Sequence, residues 1–181
     1  YSIAGFGEMI KDSGRMDKYV QALKKNIKSD SIVLDIGTGT GIFSLLACQG
    51  GVKKIYAVEP SNAIHLGKEI AKINGYSDKI DFIQDLSTEI NLPEKVDLII
   101  SDLRGILPLF NTHIPSIIDA RKRFLTPNGV LIPEEDLIYG SIVSVPEIEQ
   151  KYSYPWEAND YHLEMKAALK YVKNIIFFNN I

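Results

Sequence analysis

The feature that most limits the fold of this chain is a short apolar run that leads into a glycine-rich turn. Residues 31–36 are a β-prone segment, the turn GTGTG follows, and an apolar helical segment begins at Ile42. A strand, a glycine turn and a helix in this order bring backbone N–H groups to a ligand at the carboxyl end of a parallel strand. The pattern therefore predicts a nucleotide-type cofactor site that includes Gly37, Thr38, Gly39 and Gly41.

Similar β-prone and helical runs alternate along the first three quarters of the chain. The predicted strands are residues 31–36, 54–58, 80–83, 96–101 and 130–132. The predicted helices are residues 15–27, 42–49, 61–74 and 116–124, and Thr126-Pro127-Asn128-Gly129 is expected to form a turn. Strands and helices that alternate at this spacing imply parallel βαβ units. We therefore expect an α/β fold with a doubly wound, Rossmann-like sheet over residues 1–133.

Residues 134–181 have a different pattern. Leu137 to Val145 is a long β-prone run with no crossover helix after it, and we expect a loop at Pro146–Ala158. A helix at Leu163–Lys173 and a strand at Ile175–Phe178 complete the prediction. Because this segment is too short for an independent sheet domain, we expect a partial, β-rich, barrel-like substrate or dimerisation element. Such an element would be truncated here or completed by a partner.

Two carboxylates beside the glycine turn indicate which nucleotide it binds. Asp35 precedes Gly37 by two residues, where it could pair with a ligand ammonium group and would repel a pyrophosphate. Glu59 closes the second strand, where it could accept both hydroxyls of a ribose. Ile42 stands where the dinucleotide fingerprint needs a glycine, which weakens a nicotinamide or flavin dinucleotide prediction. A nucleoside ligand that has an ammonium group and a ribose but no phosphate is S-adenosylmethionine.

The segments VLDIGTGTGI (33–42) and KKIYAVEPS (53–61) resemble the first two motifs of class I S-adenosylmethionine-dependent methyltransferases. The likeness is closest to the protein arginine methyltransferase group. It extends to EMIKDSGRMDKY (8–19), LPEKVDLIISDLRG (92–105) and ARKRFLTPNGVLIP (120–133). The resemblance implies a methyltransferase that uses S-adenosyl-L-methionine and releases S-adenosyl-L-homocysteine.

The resemblance also implies a role for individual residues of the cofactor site. Arg15 would bind the cofactor's carboxylate, Asp35 and the glycine turn its methionine part, and Glu59 with Pro60 its ribose. The residues implied around the adenine are Asp85, Leu86, Ser87 and Thr88. Three plainer interpretations stay open: a turn that only packs tightly, an arginine that is a solvated helix charge, and an ordinary polar loop after the third strand.

The acceptor is expected at the end of the fourth strand, beside the cofactor. Arginine methyltransferases hold a guanidinium with two glutamates in this loop, and the matching residues here are Asp102 and the uncharged Asn111. Arg104 adds a positive charge, so the local charge changes from about −2 to about 0, which disfavours a guanidinium. We therefore expect methylation at a nitrogen or oxygen of a small molecule or of a protein group other than arginine, an acceptor that could carry an anionic group.

The candidate catalytic residues are Asp102, Arg104 and His113. Asp102 would orient or deprotonate the acceptor, Arg104 would bind it, and His113 is a conceivable base. Each also has a structural interpretation: a helix cap for Asp102, a surface ion pair for Arg104 and a structural histidine near a helix start for His113. A genuine protein arginine methyltransferase and a cofactor-binding scaffold without catalysis stay as alternative functions.

Charge and composition limit the partners. The chain has 20 Lys and Arg against 23 Asp and Glu, a formal net charge of −3, so no overall basic field attracts nucleic acid or a membrane. The single cysteine, Cys48, excludes a multi-cysteine metal site and agrees with a reducing compartment. We expect a cytoplasmic enzyme with no metal, no membrane segment, and a homodimer as an open alternative.

Overall fold

The structure is a computed structural model that describes residues 2–104 and 113–172. A five-stranded sheet in the order β3-β2-β1-β4-β5, with every neighbouring pair parallel, forms the centre. The strands are β1 (Ile32–Ile36), β2 (Lys54–Val58), β3 (Ile80–Ile83), β4 (Val96–Ser101) and β5 (Leu125–Ile132). The α/β, Rossmann-like fold class predicted from the sequence is confirmed.

Helices occupy the connections between the strands. They are α1 (Ile3–Lys11), α2 (Ser13–Asn26), α3 (Ile42–Gln49), α4 (Ala63–Ile73) and α5 (His113–Arg123), followed by α6 (Pro146–Glu157), a 3₁₀ turn (Lys166–Ala168) and α7 (Leu169–Val172). The sequence did not predict α1. It begins at a cap where the Ser2 hydroxyl accepts from Gly5 N, and Asp12 caps α2 by accepting from Arg15 N.

Alternation along β1 builds a hydrophobic core on each face of the sheet. All five residues of β1 are buried. Val33 packs in the core that α2 and α3 cover, whereas Leu34 packs in the core that α5 covers. Burying one such side chain contributes roughly 1.5–3 kcal/mol. The central strand is therefore held from both sides, which fixes the position of the loops at its carboxyl end.

The predicted turn Thr126-Pro127-Asn128-Gly129 lies inside β5. The β4–β5 pairing passes from Val96↔Leu125 to Leu98↔Val130, so β5 contains additional residues over this interval. Proline and glycine are tolerated there because an irregular stretch of an edge strand does not need every ladder hydrogen bond. The turn prediction is thus realised as a bulge, and β5 begins earlier than predicted.

The chain divides into two compact units, residues 1–136 and 137–181. The division lies three residues beyond the predicted boundary at 133, and Asp136 belongs to the first unit, where its Oδ1 lies 2.8 Å from Arg104 Nε. No helix of the described residues is both long and apolar enough to cross a membrane.

Several secondary-structure predictions for residues 137–172 differ from the structure. Residues 137–145 form no strand and expose Leu137, Tyr139 and Ile142, because a β-prone run forms a strand only beside a partner edge. The loop predicted at Pro146–Ala158 is helix α6, which begins with a proline and acidic residues, both favourable at a helix N-terminus. The helix predicted at Leu163–Lys173 is reduced to a 3₁₀ turn and α7. The strand predicted at Ile175–Phe178 lies outside the described residues.

Candidate active site

A cavity of about 510 Å³ lies at the carboxyl ends of β1, β2 and β4, within the size range of small-molecule sites. It gathers most of the predicted cofactor residues from five separate segments. The predicted residues that line it are Arg15, Gly37, Thr38, Glu59, Pro60, Asp85, Leu86, Ser87, Thr88 and Asp102. Asp35, Gly39 and Gly41 are not among the lining residues.

The glycine turn uses its backbone N–H groups within the protein. Gly37 N and Thr38 N both donate to Val58 O, at 2.8 and 3.0 Å, and Gly39 N donates to Glu59 Oε2 at 3.0 Å. A phosphate-binding turn instead directs such groups at the ligand. These three N–H groups are therefore not available to a pyrophosphate, which agrees with the preference for S-adenosylmethionine over a dinucleotide.

Glycine is required at two positions of this turn for a steric reason. Gly37 and Gly39 have φ of 74° and 54°, in the left-handed region. A Cβ at Gly37 would overlap the Leu103 side chain, and a Cβ at Gly39 would overlap the ring of Phe6. Both neighbours line the cavity, so these glycines allow α1 and the loop after β4 to close over it.

Asp35 lies behind the turn and is fully buried. Its Oδ2 accepts hydrogen bonds from Thr38 Oγ1 at 2.6 Å, Ser44 Oγ at 2.7 Å and Ser44 N at 3.1 Å. Burial raises the pKa of Asp35 to about 6, although the hydrogen bonds from Thr38 and Ser44 act in the opposite direction. Asp35 thus ties the turn to the first turn of α3. That it also receives a ligand ammonium group stays a prediction.

Glu59 borders the cavity in a fixed orientation. Its Oε2 accepts from Gly39 N, and its Oε1 accepts from Ser61 N at 2.9 Å. A carboxylate oxygen has two lone pairs, so each oxygen can still accept one more hydrogen bond. Two acceptors held side by side at the end of β2 suit a pair of neighbouring hydroxyl groups.

The loop after β3 supplies the other side of the cavity. Leu86 N donates to Asp85 Oδ1 at 2.8 Å, and Ser87 is buried. Arg123, at the end of α5, donates to Ser87 O at 2.7 Å and to Ile90 O at 2.7 Å. Sequence reasoning missed this anchor, because nothing along the chain links Arg123 to a loop more than thirty residues away.

Arg15 and Asp102 form an ion pair that also lines the cavity. Arg15 Nη2 donates to Asp102 Oδ2, Arg15 Nη1 donates to Met9 O at 3.0 Å, and Tyr19 OH donates to Asp102 Oδ1 at 2.8 Å. The Arg15 guanidinium also lies over the rings of Tyr19 and Phe43, at 5.4 and 5.6 Å from their centroids. The cofactor-binding and acceptor predictions therefore meet in one cluster. Sequence reasoning missed Tyr19, although it belongs to the motif EMIKDSGRMDKY.

Arg104 and His113 line a second cavity, of about 180 Å³. Arg104 also lines a wider cavity that it shares with Arg15 and Tyr19. Arg104 Nε is at ion-pair distance from Asp136 Oδ1, without hydrogen-bond alignment. His113 is buried, and its pKa is lowered by that burial and by Arg104, against a smaller opposing effect of Asp136. Neither residue lines the cavity of about 510 Å³ that contains Asp102, so their catalytic roles stay predictions. Asn111 lies outside the described residues.

Comparison with known proteins decides the family. The family model for ribosomal protein L11 methyltransferase (PrmA) matches residues 17–135, more than half of the chain. The chain belongs to this family of class I S-adenosylmethionine-dependent methyltransferases. The matched interval contains the glycine turn, Glu59, the loop after β3 and Asp102, and S-adenosylmethionine is the cofactor of the family.

Similar curated proteins place this methyltransferase near the arginine methyltransferases. Probable protein arginine N-methyltransferase 6 of Arabidopsis thaliana is 34% identical over 172 residues, 94% of this chain and 39% of that protein. Protein arginine N-methyltransferase 1 of Schizosaccharomyces pombe is 41% identical over 130 residues, 70% of this chain and 38% of that protein.

Two solved structures agree with this placement. Arabidopsis thaliana protein arginine methyltransferase 10 has a TM-score of 0.68 at 35% identity, covering 72% of this chain and 38% of that one. The Trypanosoma brucei PRMT1 enzyme-prozyme heterotetrameric complex with AdoHcy has a TM-score of 0.80 at 29% identity, covering 92% and 53%. The methyltransferase thus spans between 38% and 53% of the length of these four relatives.

Proposed function

We propose that this protein transfers a methyl group from S-adenosylmethionine to a guanidinium nitrogen of arginine in a protein acceptor. Two kinds of observation support the proposal. The first is the relatives named as arginine methyltransferases, and the second is the position of Asp102 on the wall of the cavity of about 510 Å³ at the glycine turn, which we call the donor cavity. The second observation carries the proposal, since Asp102 is an acid at the place where the resemblance assigns a guanidinium ligand. This proposal replaces the preference for a non-arginine acceptor that the sequence alone suggested.

The residues of the cavity fit the donor. Glu59 presents two acceptors for the ribose hydroxyls, Arg15 a cation for the carboxylate, and residues 85–88 a loop for the adenine. When bound, S-adenosylmethionine supplies an electrophilic methyl carbon. Phe6 and Leu103 add apolar surface that excludes water from the same cavity.

Positioning is the main contribution that this chain would make to the rate. Orientation can supply roughly 7–11 kcal/mol, whereas a general base supplies 10²–10⁴ in rate, roughly 3–5 kcal/mol. Asp102 is suited to orientation because each of its oxygens is already held by one donor, Arg15 or Tyr19, and each retains acceptor capacity. An acceptor N–H group bonded to Asp102 would keep its nitrogen next to the donor cavity.

One observation favours a second candidate, methylation of a non-arginine acceptor. Arg104 is a cation two residues from Asp102, and a guanidinium close to it would be repelled. Its pairing with Asp136 reduces this repulsion without removing the charge.

Whether the protein forms a homodimer stays a prediction; the Trypanosoma brucei neighbour is described as a heterotetramer.

The test is methyl transfer from labelled S-adenosylmethionine to an arginine-rich peptide, with the modified atom assigned by mass spectrometry. We expect methylarginine, and we expect Asp102→Ala to reduce its formation at least a hundredfold. Asp81→Ala, which removes a half-exposed acid that pairs with Lys54 at the other edge of the sheet, is the matched control and should keep full activity. Methylation of other acceptors only would favour the second candidate, and donor binding without turnover of any acceptor would favour a scaffold.

A further inference from the structure

The second cavity, of about 180 Å³, contains an unusual set of polar atoms. It lies at the carboxyl ends of β4 and β5, against the first turns of α5. Three of its lining residues carry a buried polar atom with no hydrogen-bond partner in the described part of the chain: Ser101 Oγ, Arg104 Nε and His113 Nδ1. Arg104 Nε lies 2.8 Å from Asp136 Oδ1 as an ion pair, but its N–H is not aligned with that oxygen. Buried polar atoms are nearly always hydrogen-bonded, so each exception requires an explanation. We call this cavity the β4–β5 recess.

The chemistry of the three atoms indicates what would satisfy them together. Arg104 Nε–H can only donate, so it needs an acceptor. Ser101 Oγ can donate or accept. His113 Nδ1 can also do either, because a neutral imidazole carries a proton on one nitrogen only. A ligand group that satisfies the set must therefore offer both an acceptor and a donor.

The charges around the β4–β5 recess exclude most alternatives. Its lining contains one cation, Arg104, and three carboxylates, those of Glu134, Glu135 and Asp136. An anion would be repelled by the carboxylates. An ammonium group offers no acceptor to the Arg104 Nε–H, which is not aligned with Asp136 Oδ1 although the two heavy atoms lie 2.8 Å apart. A neutral group is favoured, and its carbon substituents would meet apolar side chains such as Ile117.

We propose that the β4–β5 recess binds a carboxamide group of the acceptor. The carbonyl oxygen would accept from Arg104 Nε–H, and the NH₂ group would donate to Ser101 Oγ, to His113 Nδ1 or to a carboxylate. A cavity of about 180 Å³ is smaller than typical small-molecule sites, so it suits one functional group with its methylenes rather than a whole substrate. The carboxamide could belong to a glutamine or asparagine side chain or to a small molecule.

The placement of the recess on the acceptor side rests on the proposed function. Ligands of doubly wound sheets bind outside the carboxyl ends of the strands. The donor cavity lies at the carboxyl ends of β1, β2 and β4, and Ser101 of the recess directly precedes Asp102 of the donor cavity. A carboxamide in the recess would thus lie next to the loop where the acceptor is expected.

The direct test uses the imidazole signals of the protein in ¹⁵N-edited NMR. Its three histidines are His65, His113 and His162, and the exposed His65 and His162 serve as internal references. Propionamide, propionate and propylammonium have similar size and differ in charge and hydrogen-bonding capacity. We expect propionamide to shift the His113 signals saturably, with at least tenfold higher affinity than the other two probes.

Two variants and one control complete this test. Ser101→Ala and Arg104→Met should each weaken propionamide binding about five- to tenfold, the loss expected for one buried hydrogen bond. Ser77→Ala, an exposed position before β3, should leave it unchanged. Tighter binding of propionate or propylammonium than of propionamide would overturn the inference. The absence of any shift with all three probes would also overturn it and would mean that water fills the recess.

Kinetics separate this inference from the proposed function. Arginine peptides that differ only by Gln, Glu or Lys near the arginine should show a lower KM for the Gln peptide at unchanged kcat if the carboxamide comes from a protein. Propionamide binding with equal KM values would assign it to a small molecule. If propionamide binds but no arginine peptide is methylated, the proposed function is wrong and the carboxamide site stands. If arginine peptides are methylated but propionamide does not bind, the proposed function stands and the carboxamide site is wrong.

Discussion

Replacing Asp102 by alanine should cost both stability and the geometry of the active site. The change removes the carboxylate that accepts from Arg15 and from Tyr19 OH, and it leaves a guanidinium whose side chain is 23% exposed without its partner. Breaking a fully buried pair costs 3–5 kcal/mol, while surface pairs are worth 0–1 kcal/mol. For this partly exposed pair we expect a loss of about 1–3 kcal/mol in the free energy of unfolding.

The coupling between Asp102 and Arg15 is measured by a double-mutant cycle in urea, with Arg15→Met, Asp102→Ala and the double variant. Circular dichroism is the appropriate signal, because the one tryptophan, Trp156, lies in the second unit. We expect a coupling energy of about 1 kcal/mol. A value below about 0.3 kcal/mol, within the error of additivity, would refute the ion pair as a structural element of the site.

Three further predictions concern residues that support the cavity wall without lining it. Gly39→Ala should weaken S-adenosylmethionine binding and lower the free energy of unfolding by more than about 1–2 kcal/mol, because strain at positive φ is added to overlap with Phe6. The control Gly75→Ala, at a glycine with φ of 75° and open space around it, should lower stability without changing donor affinity. Calorimetry measures the affinity of each variant, and thermal unfolding measures its stability. Because the folded pKa of Asp35, about 6, lies above its ordinary value of 3.8, stability should fall as pH rises from about 4 through 6. Asp35→Asn should flatten this dependence in urea titrations at several pH values, and an unchanged profile would contradict the burial argument. Arg123→Ala should weaken donor binding about three- to tenfold by releasing Ser87 O and the loop after β3, and equal affinity by calorimetry would show that the anchor is not needed.

The sheet and the position of the cavity at the glycine turn were predictable because local pattern and topology determine them. Strands β2, β3 and β4 begin and end at the predicted residues, since each is a short apolar run between turn residues. The carboxylate of Glu59 lies at the cavity because the end of a parallel strand must lie at the carboxyl edge of the sheet. Periodicity and strand direction are properties of the chain that do not depend on distant partners.

The features that the sequence did not predict depend on contacts between residues that are distant along the chain. The pair of Arg15 and Asp102 joins residues 87 positions apart, and no local pattern records it. The run Leu137–Val145 has β-forming residues but forms no strand, because sheet formation requires a neighbouring edge. Arg104 and Asp102 are two residues apart and were assigned one site, but Arg104 does not line the cavity of Asp102. It shares a different cavity with Arg15 and Tyr19, the two residues that bind Asp102. Proximity in sequence therefore indicated the neighbourhood of Arg104 and not its contacts.

The central claim is that the cavity at the glycine turn binds S-adenosylmethionine through Glu59. Isothermal titration calorimetry with S-adenosylmethionine, S-adenosylhomocysteine and NADH tests it directly, on the wild type, on Glu59→Gln and on the exposed control Glu69→Gln. We predict saturable binding of S-adenosylmethionine and S-adenosylhomocysteine and no binding of NADH. Glu59→Gln should lower the affinity for both ligands tenfold to a hundredfold, because its amide has a single acceptor oxygen, whereas Glu69→Gln should not change the affinity. Tight NADH binding, or equal donor affinity in wild type and Glu59→Gln, would contradict it.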